Sequence, residues 1–126
     1  MLTAVNPPGG PTSAVYSQAI EAAGVRRMLF ISGQVGVAPD GTVPQGVAAQ
    51  ARLAFEKLNV LLAQAGMTAA NVTKWTIYLT DAAHVPEFMA SGAVRLPTPP
   101  PATTLLIVKG LADPALLIEV EAIAVA

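Results

Sequence analysis

Few side chains in this sequence are equipped for chemistry, and the strongest candidates are two carboxylates near its end. Glu119 lies between Ile118 and Val120, and Glu121 follows two residues on, inside an otherwise aliphatic run. Glutamate has low β-propensity, so a carboxylate in such a run needs a reason. If the run is a strand, Leu117, Glu119, Glu121 and Ile123 share one face, and that face is not a simple dry core. Two carboxylates on one face raise one another's pKa and can share a water or a proton, a setting for general acid and base work. The competing reading is an edge or interface strand whose acids meet water or a partner's Lys or Arg. Tyr16 offers a hydroxyl, although an aromatic early in a strand commonly packs. Ser32 and Gly33 lie in a second β-rich run, where Gly33 and Gly36 mark a bulge or a place where a ligand or another backbone comes close.

Other chemistries lack their residues. There is no cysteine, and His84 is the single histidine, which excludes thiolate and multi-histidine metal sites and cysteine nucleophiles. No phosphate loop, dinucleotide fingerprint or metalloprotease spacing is present. Ser32, His84 and Asp81 make a triad on paper only, because no nucleophile-elbow sequence surrounds Ser32. His84 is expected to be a solvated residue in the first turn of a helix. Seven Lys and Arg against eight Asp and Glu give a net charge of -1, so no basic field attracts nucleic acid or anionic lipid. With no basic leader before an apolar segment and no run near about 18 apolar residues, a soluble, cytoplasmic protein is expected.

The elements that must position these residues follow from periodicity. The 126 residues fit one domain, 1–126, beginning with an extended, partly mobile arm over 1–14 that holds Pro7, Pro8, Gly9, Gly10 and Pro11. Val15 to Ala22 reads as a strand, Ala23 and Gly24 as a turn, and Met28 to Val37 as the second strand of a hairpin. Val47, Ala51, Ala54, Phe55, Leu58, Leu61, Leu62 and Ala65 recur at the spacing of one helix face, and Gly66 stands where a left-handed cap belongs. Val72 to Leu79 is a strand. Asp81 precedes a second helix with Val85, Phe88 and Met89, in whose first turn Pro86 is tolerated. Pro97, Pro99, Pro100 and Pro101 form a rigid extended linker before two closing strands, Ala102 to Val108 and Leu117 to Val125. An α+β fold with two helices on one face of a sheet results.

Charged residues make up 12% of the chain and the mean hydropathy is +0.56, against about 25% charged in typical domains. A folded monomer of this mass exposes about 6,300 Å². So few charges leave wide uncharged tracts on that area, and burial between identical subunits is the expected remedy.

Taken together, several motifs resemble the RidA/YjgF family. They are Tyr16, Ser17, Gln18 and Ala19; Ile31 to Val35; Gln50 and Ala51; Asn71, Val72 and Lys74; Pro101 to Thr104; and Ile118 to Ala124. The resemblance implies a chorismate-mutase-like mixed sheet with two helices on one face. It also implies a homotrimer with small-molecule pockets in the clefts between subunits, and hydrolysis of an enamine or imine such as 2-aminoacrylate without metal or cofactor. It assigns catalytic roles to Glu119, which positions water, and to Tyr16, with Ser32, Gly33, Thr103, Leu105 and Met89 lining the ligand. Two positions depart from the family pattern: the arginine that clamps a substrate carboxylate is Thr103 here, and an asparagine on the second helix is Met89. Losing a desolvated Arg–carboxylate pair costs about 2 to 5 kcal/mol of binding. Arg95 or Lys109 of a neighbouring subunit could supply a charge, and nothing in the sequence places either in the pocket. The alternative functions are a non-catalytic, metabolite-binding trimer and, more weakly supported by charge, an RNA- or translation-related activity.

Overall fold

Helix α1, Val47–Gln64, begins the scaffold, since its buried face is what the sheet packs against. Val47, Ala51, Ala54, Phe55, Leu58 and Leu62 are all buried, as the spacing predicts. Leu61, expected on that face, sits at the edge of the stripe and is exposed. The computed structural model describes residues 1–126 and ends α1 as the sequence suggests: Gly66 has φ +71°. The Gly66 and Met67 amides donate to the Ala63 and Leu62 carbonyls at 3.0 and 2.8 Å, a paired closure that only a left-handed residue allows cheaply.

Four strands form the main sheet in the order β3 (Met28–Val35), β6 (Ile118–Val125), β4 (Val72–Leu79), β5 (Ala102–Ile107). β6 runs antiparallel to both of its neighbours, and β4 and β5 are parallel. The parallel pair requires a crossover, which is supplied by a short 3-10 turn and helix α2, Val85–Ala90. Asp81 caps that turn by accepting the Ala83 amide at 2.9 Å, and Pro86 sits in the first turn of α2. Alternation on β6 buries Ile118, Val120, Ala122 and Ala124 under the helices, which leaves Glu119 and Glu121 on the opposite face. Phe55 of α1 meets Trp75 of β4 edge-on at 5.5 Å and stacks with Phe88 of α2 at 6.2 Å, joining both helices to the sheet. The two helices therefore share one face of a mixed sheet, as expected.

The amino-terminal third differs from expectation. Leu2–Val5 is not a loose arm but strand β1, antiparallel to β2, Ala19–Ala22, in a separate two-stranded ribbon. Regular pairing stops before Pro7 and Pro8, which have no amide to give. The expected hairpin between the second and third runs is absent: β2 pairs only with β1, and β3 pairs with β6. Gly24 does turn the chain, at φ +68°. The turn does not dictate the pairing, because β6 offers β3 a longer partner.

The proline-rich segment leads into β5, whose free edge is partly closed by Ser17. The Ser17 amide donates to the Pro101 carbonyl at 3.1 Å and its hydroxyl to the Pro100 carbonyl at 2.6 Å. No helix is long and apolar enough to cross a membrane.

Candidate functional site

The residues singled out from sequence fall into two groups on opposite faces of the sheet. The first surrounds a cavity of about 300 Å³ between the β4–β5 edge, α2 and the segment that follows it. Tyr16, Met89, Thr103 and Leu105 all line it, together with Trp75 and Ile77 of β4 and Phe88 of α2. Tyr16 reaches β5 because Ser17, its neighbour, bridges to Ala102 in parallel. Thr103 and Leu105 sit in register with Trp75 and Ile77, so all four face the helices.

The cavity is almost entirely hydrocarbon: nine of its eleven lining residues are hydrophobic. The Thr103 hydroxyl is already committed, accepting the Trp75 indole N–H at 2.9 Å and donating to the Pro101 carbonyl at 3.0 Å. The Tyr16 hydroxyl accepts only a long 3.4 Å contact from Gln18. Neither Arg95 nor Lys109 lines the cavity; both are exposed.

The second group lies on the uncovered face. Between Ile31 and Gln34 the β3–β6 register shifts, so Ser32 and Gly33 together oppose Glu121, a bulge of the kind their glycine suggested. A Cβ at Gly33 would fall on the Glu119 carboxylate. Glu119 therefore lies directly over the Gly33 backbone, where any side chain would evict it. The same logic holds for Gly36, whose Cβ would come within 2.6 Å of the Gln50 Cα: strand end and helix touch backbone to backbone. The two acids are not equivalent. Glu121 accepts the Tyr78 phenol at 2.6 Å, and that bond, with lesser contributions from desolvation and from the charges of Glu121 and Glu119, raises the Tyr78 pKa above its usual value of 10. No such bond ties up Glu119.

Two residues matter to which the sequence analysis assigns no role, although Gln50 stands among its family motifs. Gln50, buried inside α1, donates to the Pro44 and Ala115 carbonyls at 3.0 Å each and accepts the Leu117 amide at 2.8 Å. It thereby fixes the entry of β6 two residues before Glu119. An amide among Val47, Ala51 and Ala54 was the available signal, since a buried polar group must be satisfied. Trp75, the single tryptophan, is the other; its only cue was its rarity. His84 is half-buried rather than solvated, with an Nδ1 that finds no partner. The Asp81 carboxylate is spent on its cap, so the paper triad has no geometry.

A chain that folds in this way and carries these motifs has close relatives. Residues 9–126 match the family described as Endoribonuclease L-PSP, and the chain belongs to that family, the RidA/YjgF or Rid family. It is similar to a RutC family protein of Aquifex aeolicus, 41% identical over 75 residues, covering 59% of this chain and 54% of that one. It is also similar to the mouse 2-iminobutanoate/2-iminopropanoate deaminase, 43% identical over 68 residues, covering 52% and 48%. The matches span about half the length of these curated relatives. Among solved structures, a Rid-family protein of unknown function from Yersinia pestis superposes with a TM-score of 0.82 at 29% identity, over 99% of this chain and 98% of that one.

Proposed function

We propose that the protein is a cofactor-free hydrolase of small imines or enamines that works in clefts between identical subunits of a homotrimer. One copy supplies Glu119 over the Ser32–Gly33 bulge, and its neighbour supplies the pocket of Tyr16, Met89, Thr103 and Leu105. The observation that carries this reading is the separation itself. Glu119 and Thr103 face opposite sides of one sheet, so a single chain cannot present both to one substrate, whereas two copies packed against the open face can. Met28 and Phe30 on that face are 56% and 68% exposed, and the isolated chain exposes 7142 Å², more than the roughly 6,300 Å² expected of a monomer. Both favour a partner surface of at least the standard size, about 800 Å² per subunit.

In the cleft, Glu119 takes a proton from water as the oxygen attacks the C=N carbon. An enamine first tautomerises to the imine. The resulting hemiaminal collapses with protonation of nitrogen, so one water enters and one ammonia leaves with a carbonyl product. Tyr16 is the hydroxyl available to the hemiaminal oxygen. The activity in the mouse relative's name is in line with this chemistry.

One observation favours a second reading, a metabolite-binding trimer without catalysis: the arginine position is a threonine whose hydroxyl is internally engaged. The endoribonuclease of the family's description gains nothing from seven dispersed cations against eight acids. A coupled assay separates the two readings. A serine or threonine dehydratase generates the imine beside the purified protein, and keto-acid formation is compared with the uncatalysed rate. Acceleration that disappears in Glu119→Gln while light scattering still shows the trimer is the expected result. Equal rates with and without protein would leave only the binding reading, and full activity in Glu119→Gln would remove Glu119 from the mechanism.

A further inference from the structure

The pocket under α2 has no charged group with which to hold an anion, and its one uncommitted donor is the Tyr16 phenol. Its one threonine is closed into a Trp75–Thr103–Pro101 chain of hydrogen bonds, no Lys or Arg lines it, and apart from Gly92 and the Tyr16 hydroxyl the rest of its wall is aliphatic or aromatic. A carboxylate entering it would shed its water and find no charge, which is costly. A hydrocarbon group loses nothing there and gains about 25 cal/mol for each Å² of apolar surface removed from water.

We infer that this pocket selects ligands that present an uncharged phenyl or branched aliphatic group to Trp75, Phe88, Met89 and Leu105, and discriminates against ligands that present a free carboxylate. The size agrees: an apolar cavity of about 150 Å³ already holds benzene, so about 300 Å³ accommodates a phenyl group with a short neutral tail. Trp75 and Thr103 are the specificity-determining pair, because the indole N–H occupies the hydroxyl that would otherwise be free to bind a polar ligand. For the proposed hydrolase, the substrate is then a neutral imine or enamine with a bulky apolar substituent rather than a 2-imino acid. The inference rests on reading this pocket as the substrate's, but it is tested by binding and not by turnover.

Phenylacetamide and phenylacetate have nearly the same shape and differ in charge. Because Trp75 is the only tryptophan and lines the pocket, its emission reports occupancy directly. Titration of the full-length protein should give a saturable change with phenylacetamide and at least tenfold weaker binding of phenylacetate. Thr103→Arg should reverse the order. Should that variant fail to fold, Met89→Arg places a cation at an exposed position of the mouth, and it should narrow the ratio by several-fold. Equal or tighter binding of phenylacetate by the unaltered protein, no saturable change with either compound, or a ratio unmoved by a folded arginine variant would each overturn the inference. Amide-selective binding without imine hydrolysis would retire the hydrolase and keep the ligand class. Hydrolysis of 2-aminoacrylate together with tight phenylacetate binding would do the reverse.

Discussion

The two faces of the main sheet solve the same problem differently. On the helix side, Phe55, Trp75 and Phe88 lock α1 and α2 onto β4, the polar atoms of Gln50 and Thr103 are paired within the chain, and the pocket that remains is lined almost wholly by apolar side chains. On the open side, Phe30 and Met28 stand exposed on the face that carries Glu119, and the internal side-chain bonds are few, Tyr78 to Glu121 and Lys74 to Thr104. The first face is finished by folding. The second has the composition of a surface that association finishes, with apolar area around a few charged groups.

Changes on the open face should therefore act on assembly and turnover, and changes on the covered face on stability. Phe30→Glu is expected to have the largest effect: a charge at the centre of the apolar patch should convert the oligomer to monomers of unchanged circular dichroism, read by light scattering, and a surviving oligomer would move the interface elsewhere. Gly33→Ala should leave melting nearly unchanged and lower turnover about 100-fold, roughly 2.7 kcal/mol of barrier, because the new methyl displaces the Glu119 carboxylate; retained turnover would show that this carboxylate position is not needed. Gln50→Leu should cost about 2 kcal/mol of unfolding free energy in a urea titration, since the Leu117 amide and the Ala115 carbonyl lose their partner. A loss of less than 0.5 kcal/mol, roughly the size of a neutral surface change, would mean that the entry of β6 is held by other contacts.

Tyr78→Phe is the smallest. The phenol's pKa is raised in the fold, so its contribution is present in full below pH 10 and is lost as pH rises through the folded value. The tyrosinate step that lies above the usual value of 10 in an alkaline absorbance titration should vanish in this variant. If that step survives the substitution, Glu121 is not holding the phenol.

What could be read from the sequence was what depends on neighbours along the chain. The buried stripe of α1, the cap at Gly66, the span of β4 and the alternation that sets Glu119 and Glu121 apart from Val120 all follow from local periodicity. The hairpin failed because strand partners are chosen across the chain: β3 takes β6, nearly ninety residues away, and β1 takes β2. The strand Leu2–Val5 is out of reach for the same reason, since the prolines after it identify where pairing stops and say nothing of the strand before them. The Trp75–Thr103 bond was equally out of reach, because it exists only once the parallel register of β4 and β5 is known. The family motifs brought Thr103 to attention as a missing arginine, and the register explains what the threonine does instead.

The join between Ser17 and the proline segment has a consequence for how the protein survives at high concentration. A chain with so few charges can add strands to itself wherever a sheet edge is bare, and β5 is such an edge. Prolines at 97, 99, 100 and 101 have no amide to offer an incoming strand, and Ser17 already occupies the Pro100 and Pro101 carbonyls. The start of β5 thereby offers little to a templating strand, which disfavours open-ended stacking at that end of the edge.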